Sequence, residues 1–388
     1  MDGILTAEQQ EIRDAALKIC SRFGLDYWLE RDRRGGFPEE FYRAVAEGGW
    51  LGIAIPQDYG GAGLGITEAS VFLQAVAEAG GAMQACSAIH INIFGLAPIV
   101  AFGSDEQRQR MLPPMIRGDV KACFGVTEPD AGLNTTKLTT RAVRKGDKYV
   151  VNGKKVWIST AQVAEYIMLL ARTTPVEDCK RPTDGLSIFY TKLDRSRVTV
   201  REIEKMGRKG VDSNELFIVD WEIPAEDRIG EEGQGFRYIL HGINAERVLV
   251  AAEGVGIARA ANDAAVKYAK ERIVFDRPIG MNQGIQHPLA QNWANIEAAN
   301  LMMMHAAKLF DQGKPCGSEA NAAKLLASQA AIESCKNAIL THGGYGYAKE
   351  FHVERYLREA MILWIAPVSP HLILSNIAEK KLGLPKSY

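Results

Sequence analysis

The sequence lacks an excess of charge of either sign and lacks a clearly apolar membrane span. Lysine and arginine total 46 against 47 for aspartate and glutamate, which gives a net charge of −1. Without a strong overall field, the chain is not predicted to bind nucleic acid or an anionic membrane. Residues 79–104 contain no Asp, Glu, Lys or Arg, yet they include His90, Asn92 and Pro98. These polar groups would be costly in hydrocarbon, so the segment predicts a buried core helix and no membrane insertion.

Cysteine pairs and targeting signals are also absent. None of the 6 cysteines forms a CxxC pair, which predicts reduced thiols and no metal site. The N-terminal segment MDGILTAEQQEIRDAALKIC carries acidic residues early and predicts an amphipathic helix, not a signal or transit peptide. We therefore predict a cytoplasmic location. A composition that is 47% hydrophobic and 24% charged excludes disorder and collagen-like repeats for most of the chain.

What the sequence does contain is a hydrophobic pattern that changes twice, which predicts three domains within its 388 residues. Residues 1–120 have apolar residues at helical spacing and predict a helical N-terminal domain. Residues 121–233 alternate as strands do and predict an antiparallel β barrel or sandwich. Residues 234–388 are helical again; 236–272 lack proline and predict one helix of about 55 Å. The predicted fold class is mainly α with a central β domain.

Short local signals predict where elements end. Asn152-Gly153 is a dipeptide typical of a two-residue hairpin turn, because both turn positions favour positive φ. Pro113 and Pro114 predict the end of a helix in DEQRQRMLPPMIRGD. Glycine is common just beyond the end of a helix, so Gly343-Gly344 predict a helix stop in the segment THGGYGYAKE.

Two segments of the β region are candidates for binding a flat polar ligand. The segment CFGVTEPDAGLNTT (123–136) begins as a strand and becomes a loop whose backbone N–H groups can bind a ring edge or a phosphate. In VWIST, the alternation of a strand puts Trp157 and Ser159 on one face, which suits an aromatic cofactor. An ordinary loop and one more buried tryptophan are the structural alternatives.

The long C-terminal helix carries two candidate bases. Glu246 and Glu253 interrupt an otherwise apolar helical stripe, whose members are Ile239, Ile243, Glu246, Val250, Glu253 and Ile257. A carboxylate in such surroundings tends to have a raised pKa and can accept a proton. The alternative is a buried structural pair with an arginine from another helix.

Two further segments are candidates for contacting phosphates or rings. Arg272 and Arg277 lie near a helix end, where they can meet phosphates or remain solvated on the surface. The glycines of 341–350 permit close backbone approach, and the neighbouring aromatic residues can line a ring pocket. A plain helix-ending turn is the alternative for this second segment.

Taken in order, these segments resemble the flavin-dependent acyl-CoA dehydrogenase family over nearly the whole chain. The matching stretches are VTEPDAG, VNGKKVWIS, KMGRKGVDSNE, GEEGQGF, ERVLVAAEGVGIA and HGGYGY. The resemblance implies a helical N-terminal domain, a β domain and a C-terminal four-helix bundle. It also implies FAD as cofactor, an acyl-CoA substrate, a homotetramer or dimer of dimers with FAD at the subunit interface, and an electron-transfer flavoprotein as electron acceptor.

The resemblance also implies roles for individual residues. Those that would bind FAD are Phe124, Val126, Thr127, Gly132, Leu133, Trp157, Ile158, Ser159, Arg272, Phe275, Gln283, Gly343, Gly344 and Ser369. Those that would contact the acyl-CoA are Arg247, Ile243 and Ala366. The chain departs from the family at Leu133, where serine is usual, and at Leu340, where glutamine is common.

The largest departure concerns the catalytic base. An ungapped match puts Pro367 where the family usually has a glutamate, and proline has neither a carboxylate nor a backbone N–H. A one-residue shift of this loop would bring the Ala366 or the Val368 N–H to the thioester carbonyl instead. Some members carry the base on the long helix instead, at the position of Glu246, so the resemblance implies Glu246 as the α-proton base and a hydride transfer to flavin N5. Two alternatives stay open: a non-oxidative elimination such as desulfination, with FAD as a structural group, and a catalytically silent FAD- or acyl-CoA-binding protein.

Overall fold

The computed structural model describes residues 3–387, so the first two residues of the predicted N-terminal domain and the last residue of the predicted bundle lie outside it. The N-terminal part is helical, as predicted. Thr6 caps the first helix by accepting from the Gln9 N–H, and the Gln9 side chain bonds back to the Thr6 N–H. The helices are α1 (Ala7–Cys20), α2 (Leu25–Arg34), α3 (Glu39–Glu47), α4 (Ile66–Val76), α5 (Ala82–Phe94), α6 (Ala97–Phe102) and α7 (Asp105–Ile116).

Helix α7 does not stop at its prolines, so the prediction of a helix end there was wrong. Pro113 and Pro114 lie inside its last turn, and the Arg117 N–H still donates to the Pro113 carbonyl. Proline removes a donor, but a carbonyl it leaves without a partner near a helix end is easily satisfied by water. The helix therefore continues to Ile116.

The stretch from Ile66 to Phe102 is long and apolar enough to span a membrane, but 67% of its most apolar window is buried inside the protein. A second, bent pair of helices near the C-terminus passes the same length and composition test, with a 41° bend. The prediction of a buried core helix within residues 79–104 is confirmed by the burial of Ala82, Ala85 and Ile89.

The middle of the chain forms one eight-stranded sheet. Its strands are β1 (Ala122–Gly125), β2 (Arg141–Lys145), β3 (Lys148–Ser159), β4 (Tyr166–Arg172), β5 (Leu186–Lys192), β6 (Val198–Glu202), β7 (Ser213–Pro224) and β8 (Arg228–Ile229). Their order is β6-β7-β3-β2-β4-β5-β8, and β1 pairs with β4. Most neighbours are antiparallel, as predicted, but β1 and β2 each run parallel to β4.

The hairpin turn predicted at Asn152-Gly153 is wrong, because strand β3 passes straight through both residues. The turn between β2 and β3 lies at Gly146 and Asp147, where Lys145 pairs with Lys148. Gly153 instead marks a register shift against β7, and a Cβ there would lie 2.7 Å from the Cα of Thr140. Glycine is needed here because the backbone of Thr140 approaches closely, not because the chain turns.

The C-terminal part contains the long helix α8 (Gly235–Glu271), which confirms the single helix predicted for 236–272. The remaining elements are β9 (Ile273–Val274), β10 (Arg277–Pro278), α9 (Gln283–Asp311), α10 (Gly317–His342), α11 (Val353–Ile365) and α12 (Pro370–Lys380). Gly343 follows α10 directly with φ +60°, so the predicted helix stop is confirmed.

The two helical parts of the chain share one hydrophobic core. Phe72 and Val76 of α4 belong to the same buried cluster as Leu249 and Val255 of α8. Small side chains such as Ala327 let α8 and α10 approach closely. Helix α8 is thus fixed between the N-terminal helices and the C-terminal bundle, which gives its polar residues a defined position.

Candidate active site

The loop that follows β1 is held by main-chain hydrogen bonds to its own residues and to β3. The Val156 N–H donates to the Thr127 carbonyl at 2.9 Å, and Glu128 and Ala131 exchange backbone hydrogen bonds. Phe124, Val126 and Thr127 are partly exposed, while Gly132 and Leu133 are exposed. The predicted flavin loop therefore presents main-chain groups on a rigid support.

A buried ion pair, which the sequence interpretation missed, anchors this loop to strand β3. Lys155 Nζ lies 2.9 Å from a Glu128 carboxylate oxygen and also donates to the Val126 carbonyl at 3.0 Å. Glu128 accepts further bonds from the Thr139 and Thr140 backbones. Burial would raise the pKa of Glu128, but Lys155 and these donors outweigh it and hold the pKa at about 2. The pair keeps the loop anchored while its outer surface stays open.

Trp157 occupies a bulge in β3, so the strand alternation that placed it beside Ser159 is interrupted. The register of β3 against β7 shifts between Lys155 and Ile158, and Trp157 has φ +63°. Its side chain is 59% exposed, whereas Ile158 is buried. An exposed indole next to the Thr127 loop is a free aromatic surface, while any contact from Ile158 to a ligand would come from its main chain.

Ser159 is tied to an arginine that joins the β domain to α5. Arg208 donates to the hydroxyls of Ser159 at 3.1 Å, Ser213 at 3.0 Å and Ser87 at 3.1 Å. Burial lowers the pKa of Arg208, although nearby carboxylates such as Glu359 oppose the change. The sequence interpretation gave Arg208 no role of its own, because Ser87 and Ser159 are 121 and 49 positions away from it.

The two glutamates of α8 lie on a largely buried stripe, as predicted. Ile239, Val250 and Ile257 are buried, and Ile243 is half-buried. Burial raises the pKa of Glu246 to about 7, against the opposing effects of His90 and Arg247. A carboxyl group with this pKa is available as a base near neutral pH.

Glu253 is fully buried and pairs with a histidine, not with an arginine as the structural alternative supposed. One of its carboxylate oxygens lies 2.7 Å from His90 Nδ1 on α5. The sequence interpretation used His90 only as a polar residue in an apolar segment. Its role depends on a contact across 163 positions of sequence, which no local pattern reveals.

Arg247 links α8 to α10 through the side chain of Asn321, and Asn321 extends the link to Asn376 on α12. Its guanidinium bonds to the Asn321 side chain and, through Nε, to the Ile243 carbonyl at 3.3 Å. Asn321 in turn donates to Asn376 at 2.9 Å. Both predicted substrate residues of α8, Arg247 and Ile243, therefore lie beside Glu246 on one rigid segment.

The loop 366–369, which contains Pro367, is held by a buried lysine. Lys324 of α10 is 1% exposed and donates to the Val368 carbonyl at 2.8 Å and more weakly to Trp364 at 3.4 Å. Burial lowers the pKa of Lys324 to about 8. Ser369, predicted to bind FAD, accepts from the Leu372 N–H as the cap of α12.

Ala366 and Val368 differ in what their N–H groups do. The Ala366 N–H already donates to the Ile362 carbonyl at 2.9 Å, so it is not free for a substrate carbonyl. Among residues 3–387, the Val368 N–H makes no backbone hydrogen bond. Of the two N–H groups that a shifted loop could bring to a thioester carbonyl, only that of Ala366 is already engaged in a backbone hydrogen bond among residues 3–387.

A separate cavity of about 500 Å³ lies at the ends of α8 and α10. Arg272, Gly343 and Gly344 line it, together with Tyr268 and Tyr345. Phe275, 93% exposed, and Gln283, exposed at the start of α9, are outside its lining. No residue of the β domain lines this cavity, so the two groups of predicted FAD contacts are separate within one chain.

The helical–β–helical architecture thus carries an exposed indole beside an anchored loop and a partly buried carboxylate on α8. Three family models match the chain in succession: acyl-CoA dehydrogenase N-terminal domain over residues 6–119, middle domain over 123–221 and C-terminal domain over 233–367. The chain belongs to the acyl-CoA dehydrogenase family. It is accordingly an enzyme that acts on the CH–CH bond of acyl-CoA thioesters.

Individual relatives support the same assignment. Acyl-CoA dehydrogenase FadE12 of Mycobacterium tuberculosis is 34% identical over 99% of this chain and 98% of its own length. The caffeyl-CoA reductase-Etf complex subunit CarC of Acetobacterium woodii is 34% identical over 91% of both chains. The structure of butyryl-CoA dehydrogenase from Megasphaera elsdenii superposes with a TM-score of 0.92 at 29% identity, covering 98% of this chain and 100% of that one.

Proposed function

We propose that the protein dehydrogenates an acyl-CoA thioester between its α and β carbons, with FAD as cofactor and Glu246 as the base for the α-proton. The observation that carries this proposal is Glu246 itself, a partly buried carboxylate on an apolar stripe whose pKa is raised by burial to about 7. The α-hydrogen of a thioester is a weak acid, so its removal requires a positioned base and a polarised carbonyl.

The residues present fit FAD in two places. Trp157 offers an exposed ring face beside the loop that ends at Gly132, and that loop offers main-chain groups to a polar ring edge. Arg272 and the two glycines Gly343 and Gly344 line an open cavity suited to phosphates. When bound, FAD would supply the acceptor for the β-hydride.

The chain's own residues would hold and deprotonate the thioester. In our proposal the Val368 N–H donates to the thioester carbonyl and Glu246 takes the α-proton on one carboxylate oxygen. Lys324 keeps the Val368 loop in place through its bond to the Val368 carbonyl. Ile243 and Arg247 border the acyl-CoA on the Glu246 side. The product would be a 2-enoyl-CoA.

Membership of the family also suggests which proteins this chain binds. CarC is named as a subunit of a complex with an electron-transfer flavoprotein, and we propose such a flavoprotein as the electron acceptor here. We also propose a homotetramer or dimer of dimers, because Phe275 and Tyr347 are 93% and 89% exposed near the Arg272 cavity. Apolar surface of this kind is typical of an interface between subunits.

The experiment that tests the function is an anaerobic titration of the purified flavoprotein with straight-chain, branched and aromatic acyl-CoA thioesters. Loss of flavin absorbance with one of them, together with the matching 2-enoyl-CoA, is the expected result. A product formed by elimination without loss of absorbance would favour the non-oxidative alternative. No product from any thioester would favour a silent binding protein.

Replacing Arg272 by alanine should weaken FAD retention. The change removes a charge-assisted contact worth roughly 1.5–3 kcal/mol, or roughly 10- to 150-fold in the dissociation constant. The measurement is the FAD-to-protein ratio after gel filtration, together with the dissociation constant from flavin fluorescence. Arg277→Ala is the matched control, because Arg277 is exposed and bonds to Asn282. Equal loss in both variants would contradict a specific role for Arg272.

Replacing Trp157 by alanine should shift the absorbance spectrum of bound flavin and weaken its binding. The reason is the loss of a stacked ring, which contributes about 0.5–1.5 kcal/mol beyond simple burial. Trp157→Phe keeps an aromatic face and should stay near the wild-type spectrum. If the alanine variant has the wild-type spectrum and affinity, Trp157 does not contact the flavin.

A further inference from the structure

A continuous series of polar contacts runs from the β domain through α5 to α8. On α5, Ser87 and His90 are one helical turn apart and so lie on the same face. Ser87 accepts from Arg208, which also bonds to Ser159, and His90 bonds to Glu253. The same helix α5 passes Gly242 of α8 with its Phe94 carbonyl, while His90 bonds to Glu253, so the turn of α8 that carries Glu246 lies between these two contacts.

The surroundings of Glu253 favour a positively charged imidazole beside its carboxylate. Its side chain is 0% exposed, one oxygen is 2.7 Å from His90 Nδ1, and the other oxygen has no hydrogen-bond partner among residues 3–387. A buried carboxylate with a free oxygen is costly unless a cation lies next to it. The ring of Phe94 packs against the His90 ring, with 4.6 Å between the ring centroids.

His90 keeps its other ring nitrogen available. Nδ1 makes the one hydrogen bond that His90 has within the described residues, and 14% of its side chain is exposed. Burial alone would lower the pKa of His90, but the Glu253 carboxylate outweighs burial and raises it. The Glu253 carboxylate therefore favours the protonated imidazole, whose charge stabilises an ionised Glu246.

The charged groups around Glu246 come from two helices. Arg247 and Glu253 are on α8 itself, and His90 faces it from α5. His90 and Arg247 stabilise the ionised Glu246, whereas Glu253 disfavours it. Glu253 is seven residues from Glu246, about 10.5 Å along the helix. Arg208 acts on His90 from the β domain and disfavours its protonation.

We propose that His90, held by Glu253, is a positioning residue that keeps Glu246 ionised and ready to accept the α-proton. This inference rests on the proposed function, because it concerns the base assigned there. Arg247 is tied to Asn321 and to the Ile243 carbonyl, so it is a fixed charge. His90 is the titratable cation of the group, and its loss therefore changes the pH at which the base becomes active.

The experiment measures exchange of the α-hydrogens with D2O between pH 5.5 and 9.5, using the best thioester from the panel. In His90→Gln the acid limb of the profile should move up by roughly one pH unit, the size expected for losing a nearby opposite charge. Exchange should then be about 10-fold slower at pH 6 and close to the wild-type rate at pH 9. His90→Lys restores a positive charge and should return the limb to the wild-type position or below it. His305→Gln, an exposed histidine on α9, is the control and should not move the limb.

Three results would overturn the inference. The acid limb of the His90→Gln profile could coincide with that of the wild type, or the His90→Gln rate could be lower by the same factor at every pH. The acid limb of His90→Lys could also move to higher pH, as that of His90→Gln does. FAD content and circular dichroism establish that each variant is folded. If His90→Gln does not fold, His90→Lys decides the question: an acid limb at or below the wild-type position supports the inference, and a limb at higher pH overturns it. Glu246→Gln is measured in parallel. Wild-type exchange in that variant overturns the proposed base and this inference with it, whereas lost exchange with an unmoved His90→Gln limb overturns this inference alone.

Discussion

Replacing Glu246 by glutamine should slow α-proton abstraction by about 10²–10⁴-fold, the usual contribution of a general base. Glutamine keeps the size of the side chain and its hydrogen bonding, but it cannot accept the proton. FAD content should stay at the wild-type level, since Glu246 is assigned to the acyl side of the site. The measurement is rapid-mixing loss of flavin absorbance, with hydrogen exchange at the α-carbon as a second readout.

The pH dependence of this step follows from the pKa of Glu246. Burial raises the pKa to about 7, so the wild-type rate should fall as the pH drops below 7 and the carboxylate becomes protonated. Protein stability should change in the opposite direction. The folded protein binds this proton up to about pH 7, while the unfolded chain releases it near the ordinary glutamate pKa of 4.5. Folding is therefore penalised as the pH rises through that window, and Glu246→Gln should lose the penalty.

The matched control is Asp263→Asn, which removes an exposed carboxylate from the same helix. It should leave the rate of flavin reduction at the wild-type value. A Glu246→Gln variant with wild-type flavin reduction would contradict the assignment. Glu253 would then be the remaining carboxylate of the stripe, although its contact with His90 makes it a less available base.

Elements with a strong and regular pattern could be predicted from the sequence. Helix α8 was predicted at 236–272 and runs from Gly235 to Glu271, because 37 residues without proline keep a helical period. The failures were local signals that long-range packing overrides. Asn152-Gly153 has turn chemistry, but the approach of Thr140 uses the glycine for close contact inside a strand. Pro113 and Pro114 fall where a last helical turn tolerates them.

The site was predictable only where the family pattern marks it. Glu246 combined a pattern match with an apolar stripe, and its surroundings agree with that interpretation. The Glu128–Lys155 and His90–Glu253 pairs had no comparable signal, since their partners are separated by 27 and 163 positions. A sequence also does not reveal which N–H groups of a loop remain unpaired. The difference between Ala366 and Val368 depends on how α11 ends.

Replacing Glu128 by glutamine should destabilise the protein by about 3–5 kcal/mol, because it leaves the Lys155 ammonium buried without its counter-charge. Both side chains are nearly inaccessible, at 4% and 0% exposure, so water cannot replace the lost partner. The same change replaces one of the two carboxylate oxygens by an NH2 group, so either the Thr139 or the Thr140 N–H loses its acceptor. The loop that presents Thr127 should loosen, and FAD retention should fall with it. The measurements are the free energy of unfolding in urea and the FAD-to-protein ratio.

The control for this prediction is Glu222→Gln, which breaks an exposed pair with Lys148 on neighbouring strands of the same sheet. That pair is 41% and 58% exposed, so its loss should cost under about 1 kcal/mol. The double variant Glu128→Gln, Lys155→Met removes both charges and should recover part of the lost stability. The pKa of Glu128 is held at about 2, below its ordinary value of 4.5, so its stabilising effect is complete above pH 4.5 and is lost as the pH falls towards 2. Wild-type protein should therefore lose its advantage over Glu128→Gln in acid. A constant difference between the two from pH 7 to pH 2 would show that the ion pair does not stabilise the fold.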